Sequence, residues 1–252
     1  MAIRKTEAIV LDRKDYRETS YLLSFFTPDF GKIHAQAKGA RRKADKFGTS
    51  FLPLSHNTIV FYENPSSGLH IISQADLVEN FGAIDKHVEK FTYAAYFLEL
   101  VSAALPYGEK NQEVFNMVLQ FLKLLDAQRG IDNIAQIFEI KFLNLSGFKP
   151  RLDCCVHCSD HIREKSRFSY VLGGLLCPRC FKADTQARQL MQGTIATINH
   201  IEHMELKHVN TIKIVRSVAN ELAQILRTFI DFHLGIRFKS LEFMKKVRVS
   251  DV

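Results

Sequence analysis

The spacing of apolar residues changes once along this chain, near Phe81, and that change limits the possible folds more than any other feature. Before it, apolar residues come in short runs separated by turn formers. Ala8-Ile9-Val10-Leu11 and Tyr21-Leu22-Leu23-Ser24-Phe25-Phe26 are the first two runs, and Pro28-Asp29-Phe30-Gly31 makes a tight turn after the second. Proline presets φ for such a turn, and glycine is free to take positive φ. Lys32 to Lys38 alternates polar and apolar residues, the period of a half-buried strand. Thr58-Ile59-Val60-Phe61-Tyr62 is a fourth strand, and Leu69-His70-Ile71-Ile72 opens a fifth beyond the loop Asn64-Pro65-Ser66-Ser67-Gly68. Five short strands with turns between them predict a small β-barrel. An OB-fold fits this count, and so does an SH3-like barrel.

After Phe81 the apolar residues recur at three and four. Ile84, Val88, Phe91, Ala95, Leu98, Val101 and Leu105 form an amphipathic helical stripe that Pro106 and Gly108 stop. A second stripe is Val114, Val118, Leu122 and Leu125; a third, Ile134, Phe138, Phe142 and Leu145, ends at Gly147 and Pro150. Helical spacing resumes around Ile195, Ile198 and Ile201, and the longest late stripe runs from Val215 through Leu222, Ile225 and Phe229 to Phe232, closed by Gly235. Strands first and helices after predict an α+β chain of two domains: a barrel over 1–80, and helices over 81–252 with an insert at about 151–184.

All five cysteines lie in that insert, between Cys154 and Cys180. Cys155-x2-Cys158 is followed, after eighteen residues, by Cys177-x2-Cys180, a spacing that suits a four-cysteine zinc site. A C-x2-C turn presents two thiolates to an ion from one side, and two such turns complete a tetrahedron. Gly173-Gly174 before the second pair permits tight chain reversal. Cys154 would pair with Cys158 at the less usual C-x3-C spacing and is left outside the shell, as are His157 and His161. Four protein ligands leave no open position, so one structural Zn2+ is expected, not a catalytic one.

The chain has 34 basic and 27 acidic residues, net +7, a moderate bias that suits a polyanionic partner. Within the strand region the excess sits in one loop: Lys38, Arg41, Arg42, Lys43 and Lys46 stand against Asp45 alone. Arg offers phosphates a bidentate fork and Lys a point charge. A second basic stretch, Arg237, Lys239, Lys245, Lys246 and Arg248, lies near the C-terminus. Met1 to Lys5 is not followed by an apolar segment of signal-peptide type, and no apolar run reaches the roughly 18–20 residues that span a bilayer, so a cytoplasmic location is expected. No Walker-type loop, H-E-x-x-H or G-x-S-x-G motif is present, and nothing speaks for an enzyme. From the residues alone, two other classes stay open. One is a zinc protein that binds RNA or serves transcription and would prefer structured RNA. The other is a structural adaptor whose basic residues only solvate its surface, without salt-dependent binding.

Taken together, the residues resemble the RecO family of bacterial DNA recombination and repair proteins. The resemblance covers nearly the whole chain. It lies in Glu7-Ala8-Ile9-Val10-Leu11, Phe30-Gly31-Lys32, Ala37-Lys38-Gly39-Ala40-Arg41-Arg42, Tyr96-Phe97-Leu98-Glu99-Leu100 and Leu143-Asn144-Leu145-Ser146-Gly147-Phe148. The most specific part is Leu152-Asp153-Cys154-Cys155-Val156-His157-Cys158 with Gly173-Gly174-Leu175-Leu176-Cys177-Pro178-Arg179-Cys180, where the family's Leu-x2-Cys-x2-Cys pattern again selects Cys155. The resemblance implies an N-terminal five-stranded OB-fold, a helical domain with the zinc insert, and no catalytic residues. It also implies binding of single- and double-stranded DNA, strand annealing, and loading of RecA with RecR and often RecF. The strands loaded are coated by single-stranded-DNA-binding protein, whose acidic tail docks on the helical domain. A bacterial, nucleoid-associated protein is implied. Lys38, Arg41 and Arg42 match the family's basic motif; Lys43 and Lys46 extend it by charge alone.

Overall fold

Five strands open the chain: β1 (Ile3–Tyr16), β2 (Ser20–Thr27), β3 (Gly31–Ala37), β4 (His56–Tyr62) and β5 (Leu69–Glu79). The computed structural model describes residues 2–42, 47, 49–127, 133–162 and 165–250, the side chains of 210, 245 and 247–250 excepted. Side chains alternate as the strand pleat requires: in β3, Ile33, Ala35 and Ala37 are buried, while His34 and Gln36 between them are half-buried. The strands close into a barrel in the order β1-β2-β3-β5-β4, with β3 and β5 parallel and every other pair antiparallel. That closure is the OB-fold, and the SH3-like alternative falls away. The core is Ala8, Val10, Leu23, Phe25, Ile33, Ala35, Phe51, Ile59, Phe61 and their neighbours.

The parallel seam is short, joining only His34–Gln36 to Leu69–Ile71. The start of β3 therefore lacks a strand partner, and the loop at Tyr107–Glu109 supplies one. Tyr107 bridges Lys32, and the Gly108 N–H donates to the Lys32 carbonyl at 3.1 Å. The approach is so close that a Cβ on Gly31 would lie 2.1 Å from the Glu109 carbonyl oxygen, at a φ of +60° that only glycine takes without strain. Lys32 itself is buried, and its Nζ donates to the Ser102 carbonyl; desolvation lowers its pKa. The Phe30-Gly31-Lys32 motif thus holds the barrel to the segment that follows.

Helices follow: α1 (Gly82–Asp85), α2 (Val88–Ala104), α3 (Gln112–Ala127), α4 (Ile134–Leu145), α5 (Gln192–His203), α6 (Arg216–Leu234) and α7 (Lys239–Ser250). The first predicted stripe needs correction. The chain breaks between α1 and α2, and Val88 and Phe91 are exposed, whereas Lys90, Thr92, Ala94, Tyr96, Phe97, Leu98, Leu100 and Val101 are buried. A second helix adds to the buried face. α7 packs on α2, and Glu99 caps it by accepting from the Ser240 N–H at 3.1 Å and hydroxyl at 2.7 Å. The ends of the last stripe, Val215 and Phe232, are likewise exposed, while Leu222, Ile225, Leu226, Phe229 and Ile230 are buried.

By packing, the chain forms two compact units, 1–129 with 238–252, and 130–237. In the second, α4 is tied to α6 by Arg227–Glu139 at 2.9 Å, while Lys149 reaches Glu202 of α5 at 2.8 Å. A small sheet, β6 (Arg167–Ser169), β7 (Gly174–Leu176) and β8 (Arg188–Gln189), lies between α4 and α5 in the sequence, in the order β7-β6-β8. Among the described residues, no helix is long and apolar enough to cross a membrane.

Candidate metal centre and nucleic-acid interface

The four predicted ligands come together. The sulfurs of Cys155, Cys158, Cys177 and Cys180 all lie within 4.8 Å of one another. Backbone pairing makes this happen. The Arg151 N–H donates to Gly173 at 2.9 Å, Leu175 N–H to Arg151 at 2.9 Å and Val156 N–H to Leu175 at 2.8 Å. The stretch before the first knuckle is thus zipped against β7, which leads into the second. Gly174 is required at this seam, because a Cβ there would sit 2.3 Å from the Arg151 carbonyl oxygen and 2.6 Å from Val156. Each knuckle is a tight turn, closed by Ser159 N–H to Cys155 at 2.8 Å and Cys180 N–H to Cys177 at 2.9 Å.

The donor set suits a metal ion. Zn–S bonds near 2.3 Å in a tetrahedron place sulfurs about 3.8 Å apart, and Cys158 and Cys177 sulfurs stand at 3.7 Å. Burial opposes charge on Cys155, yet the N–H groups of Cys177, Cys158 and His157 outweigh it and bring that thiol down to about 6. The next protons are harder to lose. Burial, then the neighbouring thiols, raise Cys158, and the same causes push Cys180 up to about 12. Four thiolates so close repel one another, and a cation at their centre is what lets all of them deprotonate. Around the cluster, Asp160 accepts from the Cys158 thiol at 3.5 Å and pairs with Arg179 of the second knuckle. Cys154 is buried and lies outside the cluster, bridged to His161, as do the exposed His157 and His161.

The predicted basic loop leaves β3 at the end of the barrel. Lys38, Arg41 and Arg42 are exposed; Lys43 and Lys46 lie outside the described residues. Ala40 and Phe47 on either side are buried in the barrel core, with Phe47 stacked on Phe51 at 4.8 Å, so the loop is anchored at both ends. Arg41 is tied down: it pairs with Asp15 at 3.3 Å, and its N–H donates to Thr19 at 3.0 Å. Lys38 and Arg42 form no ion pair among the described residues. Register adds cations that the linear sequence hides. Arg13, Lys14 and Arg17 sit on the β1–β2 hairpin, whose Tyr21 faces both Asp15 and Ala37. Arg13 lies over the Tyr21 ring at 4.8 Å. Of the aromatics suited to stacking, Phe25 is fully buried, Tyr21 is half-buried beneath Arg13, and Tyr62 is exposed.

An OB-fold barrel with a cationic end, followed by helices with an inserted four-thiol cluster able to hold a metal ion, defines the class. Known sequences narrow it. The family model for the Recombination protein O N terminal matches residues 1–81, and that for the Recombination protein O C terminal matches 86–242. A DNA repair protein RecO of Alkaliphilus metalliredigens is 32% identical over 245 residues, 96% of this chain and 99% of that one. Proteins of the same name from Desulforamulus reducens and Shouchella clausii are 30% and 29% identical, over 100% and 97% of this chain and 98% and 95% of their own. The chain belongs to the RecO family of DNA repair proteins.

Proposed function

We propose that the protein acts in recombinational repair as a non-catalytic mediator that binds single- and double-stranded DNA and anneals complementary strands. In this role it helps load RecA onto strands coated by single-stranded-DNA-binding protein, with RecR, and where present RecF, as further partners. The observation that carries the reading is the pair of exposed cations Lys38 and Arg42, without an ion-pair partner among the described residues, at the end of an OB-fold barrel in a RecO-family chain. Phosphates release counterions when such side chains neutralise them, and a protein that holds two strands raises their effective concentration. Lys43, Lys46 and the basic stretch Arg237, Lys239, Lys245, Lys246 and Arg248 are further proposed contributors. The ion at Cys155, Cys158, Cys177 and Cys180 is proposed to be zinc. When bound it supplies a structural cross-link, and with all four positions filled by thiolate it offers no site for substrate.

The test is annealing of complementary oligonucleotides by the full chain and by the variant Lys38→Glu/Arg42→Glu. The variant is expected to anneal at least ~10-fold more slowly, and its single-strand affinity to depend less steeply on salt, by about 1.4 in log–log slope for two phosphate contacts. Unchanged annealing and an unchanged slope in a folded variant would refute the reading.

A further inference from the structure

The outer face of β2 and β3 carries a constellation that neither the metal centre nor the basic loop uses. An open cleft of about 550 Å³ lies there, lined by Leu22, Lys32, His34, Leu69, His70 and Tyr107 among others. That volume falls within the range of small-molecule and cofactor sites. We infer that this cleft seats one unstacked base of a single-stranded nucleic acid against the paired rings of Tyr107 and His34, with the adjoining phosphates running past Lys14 toward Lys38. The inference rests on the nucleic-acid reading above and assigns the part of the surface that distinguishes single strands from duplex.

Four observations support it. First, the cleft offers ring faces. Tyr107 is 54% exposed, and its ring lies 4.4 Å from that of His34 at a shallow 34° tilt. The ring is held in place by the Lys32 ammonium, 4.4 Å from its centroid, and stays open to solvent. Second, the polar groups suit base edges. The Asn64 N–H donates to His70 Nδ1 at 3.1 Å, which puts the proton of the neutral ring on Nε2 and makes that nitrogen a donor. Burial first, and for His34 also Lys32, lowers both histidines below their usual range, so both rings are neutral near pH 7.

Third, charge and register lead from the cleft to the basic loop. Lys14 pairs with Leu22, and Leu22 with Gln36, so the three form one cross-strand row beside His34. Lys38 stands in the turn directly beyond the end of β3, two residues after Gln36. Asp12, the acidic residue of the adjoining row with Ser24 and His34, is itself paired with Lys14 at 3.3 Å. Fourth, the position suits this ligand: OB-folds take oligonucleotides on the face of strands two and three beside the loop between strands four and five, and that loop supplies Ser67 and Gly68 here, with Leu69 opening β5. A duplex keeps its bases stacked on one another and has none to offer such a cleft.

The experiment uses the full, metal-loaded chain, a single-stranded oligonucleotide and a duplex of the same sequence. Tyr107→Ala is expected to lose about tenfold in single-strand affinity, the scale of one base–aromatic stack. Its duplex affinity and its salt slope should stay unchanged, because no phosphate contact is removed, and Tyr107→Phe should retain single-strand binding. In the wild type, a single strand carrying 5-iodouracil should cross-link on irradiation to Tyr107 or His34, as located by mass spectrometry. Equal loss on both nucleic acids, no loss on either, or cross-links confined to other surfaces would overturn the cleft assignment while leaving nucleic-acid binding itself intact. A wild type that binds neither oligonucleotide overturns both the cleft and the broader reading.

Discussion

The barrel and the cysteine segment reach order by opposite routes. Inside the barrel, fourteen buried residues, four of them phenylalanines, form one apolar cluster, and every strand is paired on both sides. The cluster around the four thiols holds four buried residues, and two of those, Cys155 and Cys177, are themselves thiols of the candidate metal site. Full burial of a large apolar side chain contributes about 1.5–3 kcal/mol, against roughly 1–2 kcal/mol of backbone entropy for each residue ordered. Around the thiols the buried apolar side chains of that cluster, among the described residues, are only Leu176 and Ala187, with Val156, Ile162 and Phe181 partly buried beside them, far less than the barrel core supplies. The comparison teaches where stability is local to chemistry: one region is held by many weak contacts, while the other gathers four thiols that a single ion would cross-link.

The largest effect should come from taking that ion away. Structural zinc in small domains is worth ~10–16 kcal/mol at neutral pH. A strong chelator, or Cys177→Ser, should therefore abolish amide-exchange protection around β6 and β7 while strands β1 to β5 keep theirs. Metal analysis of the untreated protein should find about one zinc per chain. Protection that survives in the cysteine segment after chelation would break the contrast.

A smaller effect separates the two regions by a matched pair. Gly31→Ala and Gly174→Ala each drive a methyl group into backbone carbonyl, in the barrel and in the metal segment respectively. Each should cost about 1–3 kcal/mol or more. Urea unfolding followed through the barrel aromatics should register Gly31→Ala. Gly174→Ala should instead register in the d–d spectrum of cobalt-substituted protein, since it displaces the strand that sets the second knuckle. The smallest effect is expected at Cys154→Ala. This residue is buried outside the cluster, so the metal content should stay at one ion and stability should change by about 1 kcal/mol. A lost metal would place Cys154 among the ligands.

Much of this was legible in the residues. Period two before Phe81 and period 3.6 after it set out strands and helices, and C-x2-C spacing alone marked the four ligands that the fold gathers. What stayed hidden depends on pairing between distant segments. The apolar run that marks β1 ends at Leu11, since Asp12-Arg13-Lys14-Asp15 carries no apolar signal, yet the strand continues to Tyr16 on its hydrogen bonds to β2. Tyr96 owes part of its cover to Phe238 and the helix after it, far along the chain, which no local stripe reveals. The pairing of Arg41 with Asp15, which the hairpin brings to it, is invisible in the linear sequence. The cleft joins residues as far apart as Leu22, His70 and Tyr107 and has no linear motif at all.

The capping of α7 by Glu99 has a consequence in time. Ser240 follows Glu99 by 141 residues, so the helix that covers α2 leaves the ribosome long after α2 itself. At about 5–20 residues per second, the wait is roughly 7 to 28 s. For that interval Tyr96, whose ring finally rests 5.2 Å from Phe238, has no C-terminal helix to cover it. A nascent chain stalled before Phe238 would keep that greasy flank bare, an invitation to chaperones or to aggregation until translation ends.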